Sequence, residues 1–401
     1  MLTTAEAREA ILAAMPVFPA TSIGVDSSAG RILRQSVVAE RDQPPFDRVM
    51  MDGIALRHDD LDGGRNELPV QAMQAAGDAP LALAEGHCIE IMTGASLPRG
   101  ADCIVPVERI AVADGVATID AGYQVEPHRF IHPRASDHAA GAELLTAGKR
   151  IAPADIAVIA SAGLTSVDVS ALPEIRVIST GNELVSAGQA IEPHQIRLSN
   201  GPAIQAMLGQ HGYVDSAHDH IVDQRETLLE RIGCHLDEAD VLILSGGVSM
   251  GKADYVPAVL AELGVTVIFH KISQRPGKPM WFGIGPRGQA VFALPGNPVS
   301  ALVCCRQYVI PALESASSRL PSLPEFAALA AEVNFKPDLT CFQPVRLISN
   351  AAGQVLAMPV KTNTSGDFTA LAETDGFVEL AKEQSHFPAG SAVFLHRWST
   401  S

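Results

Sequence analysis

The sequence predicts an α/β protein of several domains: a central, mostly parallel α/β domain, a β-rich lobe, a helical linker domain and a C-terminal β-barrel. Three observations support this. From Ile175 onward, strand-like and helix-like segments alternate, as in a parallel sheet with helices on both faces. Between Thr21 and His138, and again between Phe326 and Arg397, short β-type runs are separated by turn-forming residues. With 401 residues, the chain is long enough for several cores.

We expect four domains. The predicted divisions are a helical domain from residues 1–25 and 140–172, a β-rich lobe at 26–139, the α/β domain at 173–320 and the β-barrel at 325–401. Ala5 to Ala14 is predicted to be a helix, with Thr3 or Thr4 as its N-cap. Leu144 to Leu172 is rich in alanine and predicts further helix.

Composition excludes several classes of protein. The net charge of −16 argues against binding to nucleic acid or to an anionic membrane, so an anionic substrate needs a local basic patch. We find neither a signal peptide nor an apolar run of roughly eighteen residues that would span a membrane. The six cysteines show no C-x-x-C pairing, which indicates a reduced, cytoplasmic protein without a zinc site.

The stretch from Val241 to Asp254 predicts a strand, a tight glycine loop and the start of a helix. Such a junction can bind anions, because glycine lets backbone amides approach a ligand and the helix N-terminus adds partial positive charge. The candidate substrate-binding residues here are Ser245, Gly246, Gly247, Ser249 and Lys252. A glycine turn alone is weak evidence, since many αβ turns bind nothing.

Acidic residues follow three predicted strands or turns of the sheet. Glu183, Asp223 and Asp254 would share one rim, and three converging carboxylates repel each other unless a cation lies between them. Oxygen ligands beside a phosphate suit Mg²⁺. The alternative is that Glu183 and Asp254 simply cap helices. The scattered histidines, such as His211, His218 and His220, are expected at the surface.

A short basic segment follows in the same domain. Lys271, Arg275 and Lys278 lie within eight residues, in a stretch stiffened by Pro276 and Pro279. In an acidic protein this arrangement indicates an anion site, and a solvated loop is the alternative. Carboxylates that hold Mg²⁺, together with nearby cations and a glycine loop, are suited to bind a phosphate ester or anhydride and a second oxyanion beside it.

Six motifs together resemble the MoeA family of molybdopterin molybdenumtransferases, whose animal relative is the gephyrin E domain. They are Pro-Pro-Phe-Asp…Met-Asp-Gly at 44–53, Thr-Gly-Ala…Pro…Gly-Ala-Asp at 93–102, Ser-Thr-Gly-Asn-Glu-Leu at 179–184, Ser-Gly-Gly-Val-Ser-Met-Gly-Lys-Ala-Asp-Tyr at 245–255, Pro-Gly-Lys-Pro at 276–279 and Leu-Pro-Gly-Asn-Pro-Val-Ser-Ala at 294–301. Ser365-Gly366-Asp367 resembles the family's C-terminal domain, so the resemblance spans nearly the whole chain.

The resemblance implies an elongated homodimer with a MogA-like α/β domain, which inserts molybdate into adenylylated molybdopterin with Mg²⁺-dependent release of AMP. It implies that Glu183, Asp223 and Asp254 hold Mg²⁺, and that Lys271, Arg275 and Lys278 hold molybdate or phosphate oxygens. It also implies that Asp52, as a catalytic residue, and Thr93 arrive from the partner subunit. Pro295 and Pro298 would shape the pocket. A MogA-like adenylyltransferase and cofactor-delivery proteins are possible partners.

The sequence departs from the family pattern at three places. Val49 and Met50 replace small or hydroxyl residues, Leu198 stands where an acidic residue is common, and Ala135 replaces a glycine. Arg275 keeps the charge of the commoner lysine. Related α/β proteins such as MogA or CinA fit less well, because they lack the long β lobe and the Pro-Gly-Asn-Pro loop. A non-catalytic, molybdopterin-binding scaffold of the same fold is the remaining alternative.

Overall fold

The computed structural model describes residues 1–247 and 255–399. Its α-helices are α1 (Thr4–Ala14), α2 (Pro153–Ser161), α3 (Asn200–Gln210), α4 (Arg225–Glu238), α5 (Val256–Glu262), α6 (Pro298–Cys304) and α7 (Ile310–Ala316). No helix in these two ranges is long and apolar enough to cross a membrane.

Helix α1 confirms the predicted N-terminal helix and its cap. The Glu6 amide donates to Thr3 Oγ1 at 3.2 Å, and the Thr3 amide donates to Glu6 Oε2 at 2.8 Å, which forms a capping box. Its buried residues Ala7 and Ile11 belong to the same apolar core as Ile175 in the α/β region. The first helix therefore packs against a layer far along the chain.

Short strands are the main regular elements of the chain from Ala20 to His132, as predicted for Thr21 to His138, and two further strands follow before residue 171. In chain order these strands are β1 (Ala20–Gly24), β2 (Val37–Val38), β3 (Arg48–Val49), β4 (Gly53–Leu56), β5 (Glu67–Gln74), β6 (Cys88–Ile91), β7 (Cys103–Pro106), β8 (Ile110–Ala113), β9 (Val116–Ile119), β10 (Ile131–His132), β11 (Glu143–Leu145) and β12 (Ser166–Ser170). The main sheet of this lobe has the order β7-β4-β6-β5-β9-β8, and two apolar clusters fill its interior.

The prediction of helix from Leu144 to Leu172 is correct at Pro153–Ser161 and wrong for the rest of that segment. Only α2 is helical, whereas β11 pairs with β2, and β12 pairs antiparallel with β1. The reason is visible in Ser166–Ser170, where Val167 and Val169 are buried and alternate with polar residues. That two-residue period places one face in a core and suits a strand.

The α/β domain contains the predicted central sheet. Its strands are β13 (Ile175–Thr180), β14 (Leu184–Val185), β15 (Ile196–Arg197), β16 (Ala217–Ile221), β17 (Val241–Ser245), β18 (Thr266–His270), β19 (Gln274–Arg275), β20 (Trp281–Ile284) and β21 (Ala290–Leu294). The sheet order is β16-β13-β17-β21-β20-β18. The pairs β16–β13, β13–β17 and β17–β21 are parallel, and β20 and β18 add an antiparallel edge. The sheet is therefore mostly parallel, as the alternation predicts.

The parallel strands end in register at one edge. Thr180 is opposite Ile221, Ser179 is opposite Ser245, and Ser245 is opposite Leu294. All of the parallel core strand β17 is buried, because helices cover both faces. This edge is where ligands bind in open α/β sheets.

The helical segment from α6 to α7 follows the sheet and is interrupted by a π-helical turn. Between α6 and α7, Cys305–Val309 forms a π-helical turn. Pro311 has no amide hydrogen and cannot donate to the carbonyl four residues earlier, so the regular α ladder is interrupted here.

The last domain is the predicted barrel. Its strands are β22 (Phe326–Leu329), β23 (Val333–Asn334), β24 (Thr340–Ser349), β25 (Val355–Pro359), β26 (Gly376–Leu380), β27 (His386–Phe387) and β28 (Ala392–Arg397). The order β24-β25-β22-β28-β26 closes through a β24–β26 pairing. The short β19 adds to this barrel sheet by pairing with Thr340 and Cys341 of β24.

Replacing Gly53 tests the packing of the β-rich lobe. Gly53 has φ +151°, and a Cβ there would overlap the Val105 carbonyl oxygen of the neighbouring strand. We expect Gly53→Ala to destabilise the lobe by about 2–3 kcal/mol, measured by calorimetric unfolding. The control Gly209→Ala lies in α3 with open space around it and should be neutral or stabilising by up to ~1 kcal/mol. Equal unfolding temperatures for the Gly53→Ala and Gly209→Ala variants would contradict the close approach of Gly53 to the Val105 carbonyl oxygen.

Candidate functional site

A cavity of about 700 Å³ lies at the carboxyl edge of the parallel sheet. Seven of the residues predicted from sequence line it: Glu183, Asp223, Ser245, Gly246, Gly247, Pro295 and Pro298. They come from the ends of four different strands, so the sheet gathers them although they are far apart in sequence. The barrel adds Gly366 and Phe368 to one wall.

The glycine pair at the end of β17 has no room for side chains. Gly246 and Gly247 have φ of +105° and +65°, and a Cβ on Gly246 would lie 2.5 Å from the Thr180 carbonyl oxygen. Thr180 Oγ1 is buried beside both glycines and has no hydrogen-bond partner among the described residues. The loop thus places backbone, rather than side chains, against the cavity. The predicted residues Ser249, Lys252 and Asp254 lie outside the described residues.

Asn200 ties two of the strand-end loops together. Its amide nitrogen donates to Ser245 Oγ at 2.9 Å and to the Gly296 carbonyl at 2.8 Å. Asn200 also begins α3, so the N-terminus of this helix faces the cavity. Unpaired amides and the helix dipole make such a terminus favourable for an anion. Sequence analysis missed this residue, although an asparagine before Gly-Pro at a helix start was an available signal.

Glu183 and Asp223 lie in the loops after β13 and β16, and hydrogen bonds join these two loops. The Asp223 amide donates to Asn182 Oδ1 at 3.0 Å, and His220 Nε2 lies 2.8 Å from the Gly181 carbonyl oxygen, placed to donate to it. The Glu183 carboxylate lies directly over Gly181, where a Cβ would come within 2.9 Å of both its oxygens. The position of Glu183 therefore depends on the loop that carries Asp223.

Histidines support this arrangement, contrary to the expectation that they lie at the surface. His218 and His220 are half-buried, and His218 Nε2 lies 3.0 Å from Ser179 Oγ. Burial lowers the pKa of His218. His211 is buried beside Glu314.

The donor set is of the kind that suits a hard divalent cation. Two carboxylates, Glu183 and Asp223, line one cavity, and Mg²⁺ commonly takes one or two carboxylates together with waters and substrate phosphates. Within residues 1–247 and 255–399, no group of three or more histidine, cysteine or acidic side chains could hold a metal. The expected third carboxylate, Asp254, is outside these ranges.

The basic segment begins after β18 and runs through the short strand β19. Lys271 follows β18 with φ +76°, Arg275 lies in β19 beside Cys341, and Lys278 is exposed. Of this segment, Pro279 lines the cavity. The proposed contact of these three cations with substrate stays a prediction. A cation that the sequence did not indicate, Arg197, does line the cavity, and its Nη1 donates to two backbone carbonyls of a neighbouring loop.

Asp52 and Thr93 are brought together in the β-rich lobe, away from the residues that line the cavity. The Thr93 amide and Oγ1 both donate to Asp52 Oδ1, at 2.6 and 2.8 Å. These bonds, the amide first, hold the pKa of the Asp52 carboxyl below its ordinary value. Both residues are exposed, which leaves them available to another molecule.

The departures from the family pattern have separate structural consequences. Val49 is buried in the core of the lobe, whereas Met50 is exposed beside it. Leu198 lines the cavity and makes one wall apolar. Ala135 has φ +62°, a left-handed conformation that glycine adopts more easily.

Comparisons with known proteins agree along the whole chain. Family models match as the MoeA N-terminal region (domain I and II) at residues 2–163, a probable molybdopterin binding domain at 176–315, and the MoeA C-terminal region (domain IV) at 327–397. A protein of Synechocystis sp. named molybdopterin molybdenumtransferase is 40% identical, covering 99% of this chain and all of that one. One of the same name from Synechococcus elongatus is 33% identical, covering 90% and 91%. The crystal structure of a molybdopterin biosynthesis MoeA protein from Pyrococcus horikoshii has a TM-score of 0.84 at 28% identity and covers both chains fully.

Replacing Thr93 tests the Asp52 contact. In Thr93→Val the side-chain donor is lost but the backbone donor remains, so we expect the pKa of Asp52 to rise towards its ordinary value without reaching it. Because the folded pKa is depressed, the stabilisation by ionised Asp52 is present at neutral pH and is lost as pH falls through the folded pKa; the variant retains less of it. Carboxyl ¹³C NMR titration measures the change. Thr118→Val, on β9, is the control, and an unchanged Asp52 titration in Thr93→Val would contradict the assignment.

Proposed function

Because the chain belongs to the MoeA family, we propose that it is a molybdopterin molybdenumtransferase, which inserts molybdate into adenylylated molybdopterin with Mg²⁺-dependent release of AMP. The main support for this proposal is that Glu183, Asp223 and the Gly246–Gly247 turn all line one cavity at the carboxyl edge of the sheet. The cavity is large enough for a small-molecule substrate.

Each part of the cavity has a role in this proposal. Glu183 and Asp223 would hold Mg²⁺, which when bound neutralises charge on the phosphoanhydride. The N-terminus of α3 would bind phosphate oxygens through its amides. The glycine turn would let them approach the backbone closely, with the Gly246 amide itself donating to the Leu294 carbonyl. This local field matters because the chain as a whole carries a net charge of −16, which repels an anionic substrate.

The apolar wall has a separate role. Leu198 and Phe368 also line the cavity, and their apolar surface would suit an uncharged ring such as a pterin. Asn200 and Asn297 hold the intervening loops, because Asn297 Nδ2 donates to Ser365 Oγ of the barrel at 2.8 Å. The cavity thus combines charged and apolar lining, which would suit a substrate with an anionic part and an uncharged ring.

The proposal includes a homodimer. Asp52 and Thr93 do not line the cavity of their own chain among the described residues, so a second copy would have to supply them. Substrate would come from a MogA-like adenylyltransferase, and product would pass to cofactor-delivery proteins. We also propose that the protein acts in the cytoplasm, where its six free cysteines would stay reduced.

Replacing Asp223 tests the catalytic role. We expect Asp223→Asn to lower AMP release from adenylylated molybdopterin, with Mg²⁺ and molybdate present, by at least about 100-fold, since it removes charge from the cation site. The control Asp215→Asn changes an exposed carboxylate before the opposite end of β16 and should retain full activity. Full turnover by Asp223→Asn would refute the assigned role. Tight substrate binding without release by the unaltered protein would favour the non-catalytic scaffold instead.

Mixing two inactive variants tests the shared site. Asp52→Ala and Asp223→Asn should each be inactive alone, but a mixed dimer pairs the intact Asp223 of one subunit with the intact Asp52 of the other. After unfolding and refolding together, we expect about one quarter of wild-type activity, from one intact site in half of the dimers. If each chain uses its own Asp52, the mixture stays inactive.

A further inference from the structure

A second cavity, of about 560 Å³, lies between α1, the π-helical turn, the linker after α7 and the last barrel strand. It shares no lining residue with the candidate active site. Arginines are prominent in its wall, which is unusual in so acidic a chain: Arg8, Arg306, Arg319 and Arg397 against Glu314 and Glu325.

Most of these charges already have partners. Arg397 forms a bidentate pair with Glu325, with Nη2 at 2.6 Å, and Arg319 pairs with Glu314. Arg8 lies 3.7 Å from Glu379, which also accepts from His396 Nε2 at 3.4 Å. Arg306 differs: its Nε donates to the Arg397 carbonyl, but it forms no ion pair with any residue the structure describes.

The neighbouring side chain is also left without partners. Gln307 lines this cavity and is fully buried, and within the described residues neither its amide nitrogen nor its amide oxygen forms a hydrogen bond. Burying a side-chain amide without hydrogen-bond partners raises the free energy of the folded state. The presence of glutamine at this buried position therefore needs an explanation. Both Arg306 and Gln307 belong to the π-helical turn, a feature that often marks functional sites.

The rest of the wall is apolar. Leu12, Pro311, Leu320 and Phe394 line the cavity, and the leucines are partly open to solvent. A ligand that suits both the arginine-containing wall and the apolar wall carries a compact negative group and a small apolar group.

We infer that this cavity is a second ligand site, which binds a small organic oxyanion, a carboxylate or a phosphate monoester, through Arg306 and Gln307. The guanidinium supplies charge and the amide supplies a donor and an acceptor beside it. The inference does not rest on the proposed function, and its readout is binding rather than turnover.

Calorimetric titration of the protein with four probes tests the inference. Benzoate and phenyl phosphate should each bind at least about tenfold more tightly than benzyl alcohol, which lacks the charge, and than inorganic phosphate, which lacks the ring. The tighter of the two organic anions identifies the preferred head group. Equal binding of benzyl alcohol, or no binding of either anion, would overturn the inference.

Three variants locate the binding. Arg306→Met and Gln307→Met should each weaken binding of the preferred anion at least about tenfold, whereas Arg197→Met, in the other cavity, should not. Gln307→Met breaks no hydrogen bond to the described chain, so its melting temperature should stay unchanged or rise while binding falls. Weakening by Arg197→Met alone would place the probe in the candidate active site and refute the second one.

Discussion

The two hydrogen bonds donated by the Asn200 amide hold the candidate site together. They connect the start of α3 to the end of β17 at Ser245 and to the loop after β21 at Gly296. Asparagine suits this position because its short side chain carries two donors on one nitrogen. The glycine turn follows directly from Ser245, and Pro295 and Pro298 flank Gly296 and Asn297. The chemistry at the edge therefore depends on an amide that carries no charge.

The predictable parts of the structure are those set by local patterns. The apolar runs of β13 and β17 and the turns that follow them are short-range features, so Glu183, Ser245 and the glycine pair could be placed at one edge before their contacts were known. The same reasoning found α1 through its cap and the barrel through its spaced β runs. Family resemblance added the names of substrates, but the meeting of these residues follows from parallel strands alone.

The parts that sequence reasoning missed are set by distant pairing. Ser166–Ser170 carries a local two-residue alternation that indicates a strand, but its pairing with Ala20–Gly24 is a contact that no local pattern reveals. The four-residue β20 forms because β21 and β18 flank it. The pairing of Arg275 with Cys341 of the barrel is a further contact between distant segments that no local pattern indicates. Asn200 stands before Gly-Pro at a helix start, which is a local signal, but its hydrogen bonds to Ser245 and Gly296 could not be predicted because those partners lie far along the chain.

The pairing of β19 with β24 has a consequence for synthesis of the protein on the ribosome. Gln274 and Arg275 are made well before Thr340 and Cys341, which pair with them. The cavity wall also needs Gly366 and Phe368, and Ser365 holds the Asn297 loop. Nearly all the lining residues belong to the α/β domain. The cavity nevertheless stays incomplete until the barrel residues have also left the ribosome. Nascent chains that stop short of the barrel would therefore contain the carboxylates and the glycine turn but not a complete site.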